Sequence, residues 1–138
     1  MKVIKIISIV VLGVVMLLGF KSPTLFEIHY SKDGKTKLSC KDKVRLDSSV
    51  IYEMKNNNNY ELTIIGHSNS TECNIEDTVL SYKRAIKAKR YIVSKGIEES
   101  RVNCRGVGGK QSYTKELGGG SDVENRNRRT EFKIYQFN

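Results

Sequence analysis

The chain opens with an apolar run and then alternates between strand-like and helix-like patterns. Residues 6–20 are apolar except for Ser8, and Lys2 and Lys5 precede that run. The first strand is predicted at TLFEIHY (24–30), which is rich in β-branched and aromatic residues.

A first helix is predicted after this strand. Ser39 and Asp42 have the spacing of a capping box, so the helix should begin at Cys40. It should end at the run NNNN (56–59), which is typical of an exposed turn. Its apolar stripe comprises Leu46, Val50, Ile51 and Met54.

The longest helix is predicted over residues 75–95. Lys83, Lys87 and Arg90 fall outside its apolar face, and Gly96 supplies a stop. The face predicted to pack comprises Val79, Tyr82, Ala85, Ile86, Ile92 and Val93.

Three further strands complete the pattern, at ELTII (61–65), RVNCRGV (101–107) and RTEFKIYQF (129–137). The resulting order is β-α-β-α-β-β, an α+β class with a mixed sheet and helices packed on one face. Helical crossovers predict parallel pairing of the earlier strands. The last strand is predicted to add an antiparallel edge.

Composition is consistent with one small exported domain. The 138 residues are 38% apolar and carry a net charge of +9. Subtracting Lys2 and Lys5 leaves +7 for residues 21–138, a balance that favours anionic partners without choosing among them. Residues 1–22 are predicted to be a signal peptide or signal-anchor segment, and residues 23–138 the domain.

The fate of the leader stays open. No A-x-A pattern lies near Phe20, and no cysteine follows LLG to accept a lipid. An uncleaved anchor with its amino end in the cytoplasm is favoured, because the lysines lie at that end. The alternative is an exported, cleaved protein associated with the outer membrane.

Four motifs in register resemble the OmpA-like peptidoglycan-binding domain, the family that includes the OmpA C-terminal, Pal and MotB types. They are IIGHSNS, LSYKRAIKAKRYIVSKGI, RVNCRGVGG and NRRTEFKIY, and the match covers residues 26–137. The resemblance implies a periplasmic, non-catalytic domain that holds the diaminopimelate of the wall stem peptide and so tethers a membrane or envelope complex to peptidoglycan.

The resemblance also implies the site, with one departure. The family spaces an aspartate and an arginine fifteen apart, and position 84 is Arg84, but its partner position carries Asn69. The family's helix asparagine is replaced by Asp77. An arginine fork suits the ligand carboxylate and an acceptor oxygen suits its ammonium. Asp77 either restores the missing charge or is an ordinary acid at a helix start.

Three more residues match ligand-facing positions of the family: Thr71, Leu80 and Arg128. Each has a plain structural alternative, namely a turn hydroxyl, core packing and a strand-start surface charge. The ligand-binding set expected from the sequence is Asn69, Thr71, Asp77, Leu80, Arg84 and Arg128.

Other chemistries find little support in the sequence. The segment GVGGK (106–110) lacks both nucleotide-binding spacings, G-x-G-x-x-G and G-x-x-x-x-G-K-S. The two histidines and three scattered cysteines do not have the spacing of a metal site. We therefore expect no enzyme activity, no metal and no cofactor. Export argues against nucleic acid, so the basic residues at 83–90 and 126–129 are expected to be solvated surface.

Two functions remain open. One is a wall-binding tether, which Arg84, Thr71 and Arg128 favour. The other is a structural or secretion-machine component that keeps the fold, has lost or altered the ligand, and acts through protein contacts, which Asn69 favours.

The three cysteines allow one internal pair. Cys40 and Cys73 should lie on the same side of the sheet, which predicts a bridge closing over the binding loop, whereas Cys104 should be buried. Three unpaired thiols are the alternative.

Overall fold

The computed structural model of the protein describes residues 24–31, 34–69, 74–111 and 121–136. The predicted β-α-β-α-β-β order is confirmed there, with one helix added before the last strand. The elements are β1 (Thr24–His29), α1 (Cys40–Leu46), a π-helical segment (Asp47–Ile51), α2 (Tyr52–Asn56), β2 (Tyr60–Gly66), α3 (Ile75–Ser94), a 3-10 turn (Glu99–Arg101), β3 (Val102–Gly106), α4 (Ser121–Asn127) and β4 (Arg129–Gln136).

The first helix begins where its capping box predicts. The Ser39 hydroxyl accepts from the Asp42 amide at 3.1 Å, and the Asp42 carboxylate accepts from the Ser39 amide at 3.0 Å. Two amides that a helix start leaves without partners are thereby satisfied. The predicted apolar stripe of α1 and α2 is buried, as expected: Leu46, Val50, Ile51 and Met54.

The strand order is β1-β4-β2-β3, which corrects one prediction. β2 and β3 are parallel, but β4 lies between β1 and β2, antiparallel to both, and is not an edge strand. Phe132 and Ile134 pack in the core, while Arg129 and Glu131 satisfy each other on the opposite face, so β4 can be covered on both sides.

The helices α1, α2 and α3 supply one layer of the core, and the sheet supplies the other. The buried cluster combines Leu46, Val50, Ile51, Met54, Ala85, Ala88 and Ile92 from the helical layer with Ile28, Leu62, Ile64, Val102, Phe132 and Ile134 from the sheet. Burying this apolar surface is the main term that stabilises the domain.

The packing face of α3 differs from the predicted one. Val79 and Tyr82 are each 45% exposed, and Ile75 is 82% exposed. The residues that α3 buries are Ser81, Arg84, Ala85, Ala88 and Ile92, so Ala85 and Ile92 of the predicted face are confirmed and the other three are additions. The helix presents the small side chain of Ser81 where it lies directly against Gly66 and Gly106 at the ends of β2 and β3.

No helix in the described ranges is long and apolar enough to cross a membrane. The apolar run predicted as a leader lies outside the described residues.

Candidate ligand site at the strand ends

Three strands end together at one edge of the sheet. β1 and β2 are both antiparallel to β4, and β3 is parallel to β2, so β1, β2 and β3 run in the same direction. Tyr30, His67 and Val107 directly follow these strands. We call this the site edge. The opposite edge, where Thr24 starts β1, we call the tether edge.

Two glycines allow α3 to pack directly against the site edge. A Cβ atom added to Gly66 would lie 1.8 Å from the Ser81 carbonyl oxygen, and one added to Gly106 would lie 2.4 Å from the Tyr82 amide nitrogen. No side chain fits in either space. The Ser81 hydroxyl accepts from the Gly108 amide at 2.9 Å, which fixes the start of the helix against the chain after β3. This close packing places Arg84, one turn after Ser81, over the strand ends.

Arg84 is the centre of the site edge and is fully buried. Its Nε donates to the Lys35 carbonyl at 2.9 Å, and its Nη1 donates to the His67 carbonyl at 2.6 Å. Its guanidinium carbon lies 4.8 Å from the centroid of the Tyr30 ring, a cation–π contact. The arginine therefore joins the loop after β1, the end of β2 and α3.

Tyr30 connects Arg84 to Arg128. The Tyr30 hydroxyl lies 3.1 Å from the Thr130 hydroxyl, and the Tyr30 carbonyl accepts from Arg128 Nε at 3.2 Å. Arg128 also donates to the Asn125 side chain. Burial, the largest effect, raises the pKa of Tyr30, although the Thr130 contact and Arg84 oppose it, so the ring is neutral at pH 7.

The NRR segment is buried, contrary to the expectation of a solvated basic surface. Asn127, Arg128 and Arg129 are all buried, and only Arg126 of the RNRR run is exposed. Arg128 is a buried group bonded to Tyr30 at the site edge and not a surface charge, and its contact with a ligand stays a prediction.

An ion network underlies the site edge on the sheet face opposite α3. His67 Nε2 lies 3.1 Å from Glu131 Oε1, and Arg129 donates to the same oxygen through Nη2 at 2.6 Å. Lys133 Nζ lies 3.3 Å from the other Glu131 oxygen. Because the backbone carbonyl of His67 accepts from Arg84, this residue links the ion network to the arginine site.

The protonation states in this network follow from burial and pairing. Burial acts to raise the pKa of Glu131, but the His67 contact and the Arg129 guanidinium outweigh it and hold this pKa at about 2. For His67, burial is the largest effect and lowers the pKa, with the Glu131 contact opposing it. Glu131 is ionised and His67 is neutral at pH 7.

Asn69 lies in the loop after β2, and Asp77 lies in the first turn of α3. Asn69 is half-buried and lies two residues after His67, within about 7 Å of chain of the carbonyl that holds Arg84. Asp77 is half-buried in the first turn of α3, where its amide donates to the Asn74 side chain at 2.8 Å. Its Oδ2 is enclosed and has no hydrogen-bond partner among the described residues.

The remaining candidates are placed less centrally. Leu80 is half-buried on α3. Thr71 lies outside the described residues, so its role stays a prediction. Cys40 and Cys104 are free thiols, exposed and half-buried respectively. Cys73 lies outside the described residues, and its bridge to Cys40 stays a prediction for the oxidised protein.

Two contributors to the site were missed from the sequence. Tyr30 supplies the ring beneath Arg84, and Lys35 supplies a carbonyl that no side-chain pattern can reveal. The signal for Tyr30 was available. It is the aromatic last residue of a predicted strand, at the edge where binding residues collect.

Comparison with known proteins places this geometry in a family. The profile described as the OmpA family matches residues 30–127. A search of curated proteins found no match to the sequence.

Solved structures share the fold. The OmpA-like domain of FopA1 from Francisella tularensis is 22% identical with a TM-score of 0.65, and the match covers 84% of this chain and 77% of that one. The peptidoglycan-associated lipoprotein from Burkholderia pseudomallei is 16% identical with a TM-score of 0.70, and the match covers 79% of this chain and 89% of that one. The periplasmic domain of Helicobacter pylori MotB is 8% identical with a TM-score of 0.69, and the match covers 87% of this chain and 80% of that one. With a family profile spanning most of its length, this chain belongs to the OmpA family.

Proposed function

We propose that this domain binds peptidoglycan non-covalently through the diaminopimelate of the stem peptide. The observation that carries the proposal is the position of Arg84 at the site edge, with Tyr30 beneath it and Arg128 bonded to Tyr30. Membership in the OmpA family supports the assignment, as does the fold shared with a peptidoglycan-associated lipoprotein.

A ligand carboxylate would bind Arg84 by replacing a carbonyl. Arg84 is fully buried, and its Nε is occupied by the Lys35 carbonyl. A carboxylate binds a guanidinium more strongly than a neutral carbonyl does, because both partners are charged. Binding therefore breaks the hydrogen bond to the Lys35 carbonyl, while the contacts of Thr36 and Leu38 still hold the loop, and the cost of the lost bond lowers the affinity.

The ligand ammonium would lie between Asn69 and Asp77. Asp77 and Arg84 are seven residues apart, which places them on one helix face with about 10 Å of rise between them. Arg84 is long, and helical side chains lean towards the helix start, so its guanidinium approaches Asp77. The enclosed Asp77 Oδ2 supplies a negative charge that Asn69 lacks.

The proposed tether runs from the other end of the domain. We propose that residues 1–22 hold the protein in the inner membrane, with export and cleavage as the alternative. The apolar run ends at Phe20 and β1 begins at Thr24, so residues 21–23 span about 10 Å at most. Since Thr24 lies at the tether edge, the site edge would face away from that membrane.

Retention on purified sacculi tests the proposal. Arg84→Ala should abolish co-sedimentation of the full chain with sacculi, because the carboxylate fork is lost. Arg90→Ala, an exposed arginine on the same helix, is the matched control and should retain binding. Circular dichroism checks that both variants fold. Equal retention of a folded Arg84→Ala variant and the control would reject this site.

A second candidate function is an envelope component that acts through protein contacts. The exposed row Ile75, Val79 and Tyr82 on α3 favours it, because exposed apolar rows commonly mark interaction surfaces. The complete burial of Arg84 is also what a purely structural arginine would show. Absence of wild-type retention on sacculi would favour this candidate.

A further inference from the structure

A cavity of about 160 Å³ adjoins the arginine site and is lined in part by two residues that contact Arg84, namely Tyr30 and Lys35. An ordered water needs only ~10–15 Å³ of such space, so the cavity can hold a chemical group of several heavy atoms. It is lined by His29, Tyr30, Ser31, Lys35, Lys37, Ser39 and Asp42.

The loop at residues 35–39 presents alternate side chains to this cavity. Lys35, Lys37 and Ser39 line it. The residues between them face the other way: Leu38 is buried in the core, and Thr36 accepts from Lys87 Nζ of α3 at 2.7 Å. Alternation of this kind is the property of extended backbone, and it directs both lysines to the same side.

The loop is held in place at three points. Arg84 binds the Lys35 carbonyl, Lys87 binds the Thr36 hydroxyl, and Leu38 packs in the core. The arginine proposed to bind the wall peptide thus also positions this loop. The cavity and the arginine site are neighbours that share Tyr30 and Lys35.

The charges around the cavity favour an anion. Lys35 and Lys37 carry two positive charges, and Asp42 carries the one negative charge among the lining residues. That carboxylate is already engaged, since its Oδ2 accepts from the Ser39 hydroxyl at 2.6 Å and from the Ser39 amide. His29 faces Glu27, with Nε2 and Oε2 3.2 Å apart.

We propose that this cavity, the lysine subsite, takes a second carboxylate of the same wall peptide whose first carboxylate binds Arg84. The inference rests on the proposed function. In the stem peptide the residue joined to diaminopimelate is a D-glutamate, whose α-carboxyl is either free or amidated. The chain would then prefer stems in which that group is a free carboxylate.

Two soluble peptides test this preference: L-Ala-γ-D-Glu-diaminopimelate and the same peptide with the D-Glu α-carboxyl amidated. Calorimetric titration of the full chain in detergent at low salt should show about three- to tenfold tighter binding of the free acid, the range for one or two exposed ion pairs. The preference should shrink as salt is raised.

Lysine variants assign the preference to the cavity. The double variant Lys35→Gln, Lys37→Gln should bind both peptides equally, at the affinity that the wild type shows for the amide. Lys41→Gln, which removes an exposed lysine just outside the cavity, is the matched control and should keep the preference.

The outcomes separate this inference from the function on which it rests. If the wild type binds both peptides equally, or if Lys41→Gln removes the preference as fully as the double variant, the lysine subsite is wrong while wall binding stands. If the wild type binds neither peptide, the proposed function fails and the subsite fails with it.

Discussion

At the scale of single residues, Asn69 and Asp77 decide how strongly the site edge can hold an ammonium group. Asn69 offers an acceptor oxygen without charge, and Asp77 offers a charged oxygen that is enclosed. The two residue types are exchanged relative to the pattern of the OmpA family. The affinity for a zwitterionic ligand therefore depends on which of the two positions faces the ammonium.

We predict that Asn69→Asp tightens retention on sacculi about tenfold to a hundredfold, because a charge-assisted hydrogen bond adds ~1–3 kcal/mol. Asn103→Asp, which adds the same charge at an exposed position of β3, should change little. Unchanged or weaker binding of Asn69→Asp would contradict the assigned pocket. Tighter binding of Asp77→Asn would show that Asp77 does not supply the charge.

Glu131 and His67 make the stability of the domain depend on pH. The pKa of Glu131 is about 2 against an ordinary 4.5, and burial lowers the pKa of His67 below 6.5. Both groups bind protons more readily in the unfolded chain, so the free energy of unfolding falls as pH falls. The His67 contribution is lost below pH 6.5, and the Glu131 contribution is lost between pH 4.5 and 2.

We predict that Glu131→Gln flattens the lower part of this pH profile. The variant should be about 3 kcal/mol less stable at pH 7, because each pKa unit corresponds to ~1.4 kcal/mol, and the difference should shrink as pH approaches 2. Urea unfolding at a series of pH values measures it. Glu98→Gln, an exposed control, should be neutral. A loss that stays constant from pH 7 to pH 3 would contradict the electrostatic explanation.

At the scale of elements, the contact between α3 and two glycines organises the site edge. Helix and strand ends approach so closely at Gly66 that the helix must present Ser81 and the alanines to the sheet. This rotation exposes Val79 and Tyr82 and buries Arg84. The same contact therefore accounts for the exposed apolar row and for the position of the binding arginine.

We predict that Gly66→Ala destabilises the domain by more than ~3 kcal/mol, because its methyl group would overlap the Ser81 carbonyl and force the helix away. Gly96→Ala is the matched control. Its Cβ meets open space but its φ is +94°, so it should cost only about 1 kcal/mol. Urea unfolding compares them. Similar losses of stability in the two variants would contradict the close contact between Gly66 and α3.

At the scale of the whole molecule, the two edges of the sheet have separate roles in our proposal. β2 has seven residues, which corresponds to about 23 Å between the tether edge and the site edge. With a linker of three residues, the domain would lie against the membrane and direct Arg84 away from it.

We predict that the full chain stays with the inner membrane fraction after a high-salt wash, because apolar burial and not charge would hold residues 3–20 there. Mass spectrometry should find the intact amino-terminal segment. A mature amino terminus near Phe20 or Lys21 would instead establish cleavage and contradict the anchor.

The sequence by itself determined the parts of this protein that depend on local order. Capping at Ser39, the stripe from Leu46 to Met54 and the β-branched and apolar composition of the strands act between residues close along the chain, so these elements and their order could be predicted. The resemblance to the OmpA family, with its fifteen-residue spacing, likewise led to Arg84 as a predicted ligand-binding residue.

Only the tertiary structure decided what depends on residues far apart in the chain. β4 is the last strand but lies inside the sheet, because it pairs with β1 on one side and with β2 on the other, and both partners are far from it along the chain. The glycines at the ends of β2 and β3 set the rotation of α3. The carbonyl of Lys35 and the ring of Tyr30 enclose Arg84. Packing distances and backbone acceptors leave no periodic trace in a sequence, which is why these features appear only in the folded chain.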